Sequence, residues 1–248
     1  MSASILHDIL QGRRRALTYT HSILELKSGH QVATELLTRF EGDDGRMRTV
    51  GHLLDDVTLS SAHRVELDLL CVGAVFESLA ETPISDRLLF INLHPLTLAS
   101  PMFWQKLRPW LWDLSIPPHR IVLEITEEFG SLSLDDLEVH AQRLRRMELR
   151  IAVDDLGNGV ASLAHMARLA PDFIKVDRSL VHQAHRRPYQ AALLNALSVF
   201  ASRMGVGYIA EGIETREELQ AILDADVPWG QGFLFGEPTP LGTAVVNP

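Results

Sequence analysis

Two adjacent aspartates, Asp154 and Asp155, close a short apolar run, Ile151-Ala152-Val153, and stand just before a turn containing Gly157 and Gly159. Paired carboxylates at the end of an apolar strand are good oxygen ligands for a hard cation. The arrangement recurs along the chain. Glu35 sits among apolar neighbours in QVATELLTRF (31–40), with Arg39 four residues on, and Asn92 closes RLLFIN. Glu124 lies in RIVLEITEE, followed by Thr126 and Glu127; Lys175 and Asp177 end FIKVD. Glu211 and Glu214 follow GVGYIA, and Gln231 stands near the start of WGQGFLFGEP. Carboxylates gathered at close range raise one another's pKa and need cations to stay ionised. A carboxylate-and-amide set without a cysteine cluster points to Mg²⁺ or Mn²⁺ rather than zinc. The aspartate pair suits two ions in one site, an arrangement that clamps an in-line displacement at phosphorus. Each residue alone has a plainer reading: a helix N-cap pair before 161–169, a strand face carrying a salt bridge at Glu35, a turn cap at Asn92.

These residues need elements to bring them together. The stretch 150–181 reads as strand, turn, helix, strand, one βαβ unit. Similar alternations flank it: helical regions over about 48–80, 101–114, 134–148 and 188–204 and in REELQAILDAD, with apolar strands between. The segment 101–114 carries Trp104, Trp110 and Trp112, which read as packing residues. A short helix is expected over 4–12, and Arg13 to Arg15 read as a solvated turn. ALTYTHSILEL (16–26) and QVATELLTRF (31–40) are joined tightly by SGH and should run antiparallel. The tail from Thr239 reads as a run-off. Counting this hairpin there are eight strands, and the fold expected is an α/β, modified TIM (β/α)8 barrel with an antiparallel first strand. In such a barrel the strand C-termini form the active face. Glu35, Asn92, Glu124, Asp154, Lys175 and Glu211 all fall within or at the end of separate strands.

The 248 residues, 46% hydrophobic and 22% charged, suit one globular domain spanning 1–248, with a core of about 17–240. The net charge of −9 argues against duplex DNA or RNA held on a basic surface. Cys71 is the single cysteine, so no internal disulfide forms. Neither a signal-peptide core nor a membrane-spanning run is legible, and a cytoplasmic address is expected.

The segments ELLTR (35–39), NL (92–93), LEITE (123–127), DDLGNG (154–159), KVDRSLV (175–181), AEGIET (210–215) and QGFLFG (231–236) together resemble the EAL family of cyclic di-GMP phosphodiesterases, over about Leu17 to Pro240. The resemblance implies hydrolysis of cyclic di-GMP to linear pGpG with Mg²⁺ or Mn²⁺, two ions per site. It implies Glu35, Asn92, Glu124 and Asp154 as ligands of the first metal, with Asp154 and Asp155 serving the second. Lys175 would position water or stabilise charge, and Glu211 would act as general base or metal-water organiser. Arg39 would meet a substrate phosphate, Glu214 and Gln231 would complete the site, and Glu127 would anchor the DDLGNG loop. A homodimer paired near that loop is also implied, with regulation from an upstream sensor domain or partner protein.

Departures from the family pattern are local. The signature triplet reads Glu35-Leu36-Leu37, the loop reads Leu156-Gly157-Asn158-Gly159, and Thr20-His21-Ser22 replaces the usual Tyr-Gln-Pro. His94 stands where a small Ser is common, and Glu237 where a basic residue often follows. None removes an implied metal ligand. An active phosphodiesterase is the leading reading; a catalytically silent cyclic di-GMP receptor or interaction module is the alternative.

Overall fold

The computed structural model describes residues 3–49, 59–82, 84, 87–126, 132–156 and 163–242. After helix α1 (Ala3–Leu10), strands β1 (Ala16–Glu25) and β2 (Gln31–Glu41) form the expected hairpin, and β3 (Met47–Thr49) adds to the outer end of β2. Then come α2 (Ser61–Glu81), β4 (Leu88–Asn92), α3 (Pro95–Ala99), α4 (Pro101–Asp113), β5 (Ile121–Thr126), α5 (Leu134–Arg146) and β6 (Arg150–Leu156). The chain continues through α6 (Leu163–Leu169), β7 (Phe173–Val176), α7 (Arg178–Val181), α8 (Pro188–Met204), β8 (Gly207–Ala210), α9 (Arg216–Asp224), β9 (Trp229–Gly230) and β10 (Thr239–Pro240).

Parallel pairing runs β2-β4-β5-β6-β7-β8-β9, and β1 closes the ring, antiparallel to both β2 and β9. This is the eight-stranded barrel with an antiparallel first strand. Strands such as LLFIN and IVLEIT are apolar on both faces because helices cover one side and the barrel interior the other. Outside, Val72, Val75 and Phe76 of α2 and Phe103 and Leu107 of α4 join the buried layer against the strands. Inside, the lower barrel is filled by Ile23, Ala33, Phe90, Val122, Ala152, Phe173 and Ile209. Phe90 meets Phe173 edge-on at 5.1 Å, and Phe173 stacks on Trp229 at 5.6 Å. Gly207 makes room for this plug, since a Cβ there would lie 2.3 Å from the Phe173 ring.

Three expectations need correction. Residues 47–49 are strand, paired to β2, where a helix from about 48 is expected; the helix starts at Ser61, with the Ser60 side chain accepting from His63 N, and residues 50–58 lie outside the described residues. The last barrel strand is two residues long, and Gln231 follows it instead of opening it. A Cβ at Gly232 would fall 2.2 Å from the Ile213 carbonyl oxygen, so the backbone turns there against the 211–214 loop and leaves the strand. The tail is no run-off as far as Pro240: Thr239 and Pro240 pair with Thr20 and Tyr19 on the open edge of β1. Of the tryptophans, Trp104 is buried and donates Nε1–H to Leu98 O, Trp110 stacks on Phe76, and Trp112 is exposed. Arg13 and Arg14 are tied by ion pairs to Asp8, and Arg14 also to Asp43.

Candidate active site

Above the apolar plug, the C-terminal ends of the strands turn inward with polar side chains. Lys175, fully buried on β7, is the centre. Its Nζ lies 2.6 Å from Glu124 Oε1, 2.7 Å from Glu211 Oε1, 3.2 Å from Asp154 Oδ1 and 3.8 Å from Glu35 Oε1. Asn92 donates Nδ2–H to Glu35 Oε1 at 3.1 Å, and Gln231 donates Nε2–H to Glu35 Oε2 at 2.5 Å. Seven polar residues from seven strands or strand ends thus meet in one layer.

The aspartate pair reaches this layer through a defect in the sheet. Val153 pairs with Ile174 and Leu156 with Val176, so Asp154 and Asp155 together oppose the one residue Lys175. That is a β-bulge, and Asp155 adopts a left-handed φ of 58° there. On a regular strand two neighbours point to opposite faces. The bulge lets both serve one side: oxygens of Asp154, Asp155 and Glu211 lie within 4.8 Å of one another. Asp154 Oδ1 also accepts from Asp155 N at 2.9 Å. The helix N-cap alternative for this pair does not describe them, because both lie within β6.

Burial and charge act on these groups unequally. Burial pushes the Glu124 carboxyl well above its ordinary value; Lys175 opposes that, while Glu35, Asp154 and Glu211 add to it. Burial and, after it, the Asp154 charge likewise push Glu211 up. Burial also works against Glu35, but Lys175, Gln231 and Asn92 outweigh it and hold its carboxyl below the ordinary range. For Lys175 burial is overcome by Asp154, Glu124, Glu211 and Glu35, which hold the ammonium well above its usual pKa. Four carboxylates face the one ammonium, Asp155 lies close by, and Glu124 Oε2 is buried with no hydrogen-bond partner among the described residues. Such a set fits hard divalent cations, which would supply the missing charge and take up the unpartnered oxygen.

Two cavities open onto this layer. One, of about 300 Å³, runs from Glu35, Asn92, Asp154, Asp155 and Thr126 to a wall of Leu37, Val72, Leu93, His94 and Asp68. The other, of about 280 Å³, is bounded by His21, Glu35, Glu211, Gln231 and Phe233, with the Arg178–Glu214 ion pair, 2.8 Å, at its rim. Glu214 is thus engaged by Arg178, which sequence reasoning did not single out although it lies within KVDRSLV. Arg39 shares the inward face of β2 with Glu35 but lines neither cavity; its guanidinium lies over the Tyr19 ring at 4.9 Å. Glu127, Gly157, Asn158 and Gly159 lie outside the described residues.

Two further residues shape the site. Glu218 of α9 is buried and accepts from Glu214 N, Thr215 N and Gln183 N, pinning the loop after β8 to the segment after α7. Burial raises its carboxyl, but these donors outweigh it and hold it below the ordinary range. The Thr215-x-x-Glu218 spacing is a legible capping box. Asp68 of α2 accepts from His94 N at 3.0 Å, and burial pushes it up to about 6. No pattern in the sequence marks Asp68, since a carboxylate on a helix ordinarily faces water.

A parallel barrel carrying an acid-and-amide cluster at its strand C-termini is the architecture of a metal-dependent barrel enzyme. The EAL domain family profile matches residues 3–238, and the chain belongs to that family. It is 27% identical over 228 residues to the cyclic di-GMP phosphodiesterase PdeA of Borreliella burgdorferi, covering 90% of this chain and 33% of PdeA. It therefore spans about a third of the length of that relative. Among solved structures, the Klebsiella pneumoniae BlrP1 complex with manganese and cyclic di-GMP superposes with a TM-score of 0.80 at 26% identity, covering 91% of this chain and 56% of BlrP1. The Bacillus subtilis YkuI protein, with an EAL domain and solved with cyclic di-GMP and calcium, shares the fold with a TM-score of 0.84 at 24% identity, over 98% of this chain and 60% of YkuI.

Proposed function

We propose that this chain is a divalent-metal-dependent phosphodiesterase that opens cyclic di-GMP to linear pGpG. The observation that carries the reading is the layer in which four carboxylates surround one ammonium, with Asp155 beside them, beneath two cavities. Fully ionised, Glu35, Glu124, Asp154, Asp155 and Glu211 would carry four negative charges beyond what Lys175 offsets, which two divalent cations, Mg²⁺ or Mn²⁺, would balance. Glu35, Asn92, Glu124 and Asp154 would hold the first, and Asp154, Asp155 and Glu211 are spaced to hold the second. Bound metal would lower the pKa of a water and neutralise the phosphodiester oxygens, which otherwise meet a strongly acidic surface.

The chain's own residues then divide the remaining work. Lys175 keeps the carboxylates at fixed separations and offers a positive charge where the phosphorus would be attacked. Glu211, the most exposed carboxylate bonded to Lys175, with its pKa raised, would take a proton from the attacking water. Asn92 and Gln231 hold both oxygens of Glu35. Arg39 would meet a substrate phosphate after leaving Tyr19, where its planar fork suits bidentate contact. Glu127 is proposed to anchor the 154–159 loop.

A single domain over 1–248 acting in the cytoplasm accompanies this reading, with any sensor domain or regulatory protein as the source of control. Among the described residues no helix is long and apolar enough to cross a membrane. We also infer a homodimer. The 157–162 segment near which pairing is expected lies outside the described residues; a different face is available on helix α8, which carries no charge before Arg203 yet exposes Tyr189, Leu193, Val199, Phe200 and Met204, and a second copy would cover it. Sedimentation of wild type against Phe200→Glu checks this: a monomeric wild type sinks the dimer.

The function is tested by incubating the protein with cyclic di-GMP and Mg²⁺ or Mn²⁺ and following pGpG by chromatography. Glu35→Ala and Glu211→Ala should each lower turnover by about a hundredfold or more. Tight binding of cyclic di-GMP without pGpG, with either metal, would leave the receptor reading standing in place of the enzyme.

A further inference from the structure

His21 departs from the family pattern, and its surroundings assign it a specific task. It sits on β1 directly opposite Glu35 on β2, so the two side chains share the inward face of the hairpin. Its ring makes two polar contacts. Nε2 lies 3.2 Å from Gly236 O, which only accepts, so Nε2 carries the hydrogen. Nδ1 lies 2.5 Å from Gln231 Nε2, which only donates, so Nδ1 offers its lone pair. Both contacts demand the same neutral tautomer. The ring is also packed against Phe233, with centroids 6.3 Å apart.

This fixes the amide of Gln231. Its NH₂ group spends one hydrogen on His21 Nδ1 and the other on Glu35 Oε2, at 2.5 Å in each case. The flipped amide would turn its carbonyl oxygen onto both the Glu35 carboxylate and the His21 lone pair. Gln231 is 3% exposed and cannot relieve that clash in water. Its Oε1 is buried and has no hydrogen-bond partner among the described residues, so no other side chain holds the amide in this sense. Asn92 fixes the other oxygen of Glu35. The carboxylate is therefore clamped from two sides, and one of the two clamps depends on His21.

We propose that His21 is a positioning residue for the metal site: through Gln231 it orients the Glu35 carboxylate toward a divalent cation without touching that cation itself. The inference rests on the proposed metal-dependent function and concerns how this chain, with His in place of the family's usual Gln, completes the outer support of its ligand. Support of this kind commonly changes metal affinity by tenfold or more when removed.

The test is a double-mutant cycle read by calorimetric titration with Mn²⁺ alone. His21→Ala and Gln231→Ala should each weaken Mn²⁺ binding by about tenfold. The double variant should be no weaker than Gln231→Ala, because His21 acts through that amide. His21→Asn, which returns an oxygen acceptor near the position of Nδ1, should recover binding to within about threefold of wild type. A circular dichroism melt checks that each variant is folded, and the Asn variant keeps the test decisive if the Ala variant is not. Wild-type affinity in folded His21→Ala, or full additivity with Gln231→Ala, would overturn the inference while leaving the metal reading intact. Absence of any Mn²⁺ binding by the wild type would overturn both.

Discussion

The barrel interior holds two layers of opposite character a few ångströms apart along the same strands. The lower is wholly apolar: Phe90, Val122, Ala152, Phe173 and Ile209 interlock with no polar atom to satisfy. The upper is almost wholly polar, and each group in it depends on another: Lys175 on its carboxylates, Glu35 on Asn92 and Gln231. β5 shows the change within one strand, where Val122 points into the plug and Glu124, two residues on, into the charged layer. The lower layer supplies stability through close packing, which costs nothing in desolvated charge. The upper layer gathers buried charge that is compensated only in part by one ammonium, and that shortfall is what suits it to bind cations. One layer would keep the fold if its chemistry were exchanged for other apolar groups of like volume; the other would not keep its chemistry.

The largest effect should come from breaking the upper layer at its centre. Lys175→Met leaves the carboxylates facing one another, and removing one partner of a buried charge cluster costs about 3–5 kcal/mol. In metal-free buffer at neutral pH, chemical denaturation should show a loss of that order. The sign with pH follows from the raised carboxyl groups: a folded state that binds extra protons gains stability as pH falls, so the deficit should shrink toward pH 5. Turnover should fall by more than a hundredfold even in the folded fraction. An unaltered melting profile at neutral pH would contradict the account of the cluster.

Breaking the lower layer should hurt differently. Phe90→Ala removes a fully buried ring from the plug and should cost about 3–5 kcal/mol in stability. Activity per folded molecule should change far less than for Lys175→Met, because the plug touches none of the proposed ligands' charged ends. Equal losses of specific activity in the two variants would erase the distinction between the layers.

The smallest effect sharpens the contrast between a compensated and an uncompensated buried carboxylate. Glu35 has an ammonium and two amides about it and stays below the ordinary range; Asp68, behind the same cavity, has the His94 backbone N–H and is pushed up to about 6 by burial. With the folded pKa above the ordinary value of 3.8, the folded state binds the extra proton. Stability attributable to Asp68 is therefore present below about pH 4 and lost as pH rises through about 6. Asp68→Asn keeps an acceptor for His94 N and cannot ionise. It should be the more stable protein at pH 8, by about 1–3 kcal/mol, with the difference vanishing near pH 4. Stability curves of the two proteins across that range decide it, and a constant offset would count against the buried ionisation.

Much of this was legible in the residues. The strand-helix alternation, the antiparallel hairpin and the polar residue at each strand end are local patterns, set by period and by turn chemistry, and Glu35, Asn92, Glu124, Asp154, Lys175 and Glu211 were found by position alone. Other features were hidden. Arg39 reads as a phosphate contact but lies on Tyr19, a diagonal neighbour on the adjacent strand β1 that depends on the hairpin register. Gln231 reads only as completing the site, whereas its hydrogens go to His21 and Glu35. Glu218 was missed in spite of a capping-box pattern that could have found it, and Asp68 carries no pattern at all.

By itself the sequence determined which groups are available and on which strands they ride, because side-chain direction and strand period are properties of a few consecutive residues. Only the tertiary structure decided how those groups face one another. The bulge that turns Asp154 and Asp155 to the same side exists only as a register mismatch with β7. The His21–Gln231–Glu35 contact joins residues up to 210 positions apart. Neither can be read from neighbours along the chain: the bulge is set by the register of β6 against β7, and the contact by closure of the barrel, which brings the end of β9 against the β1–β2 hairpin.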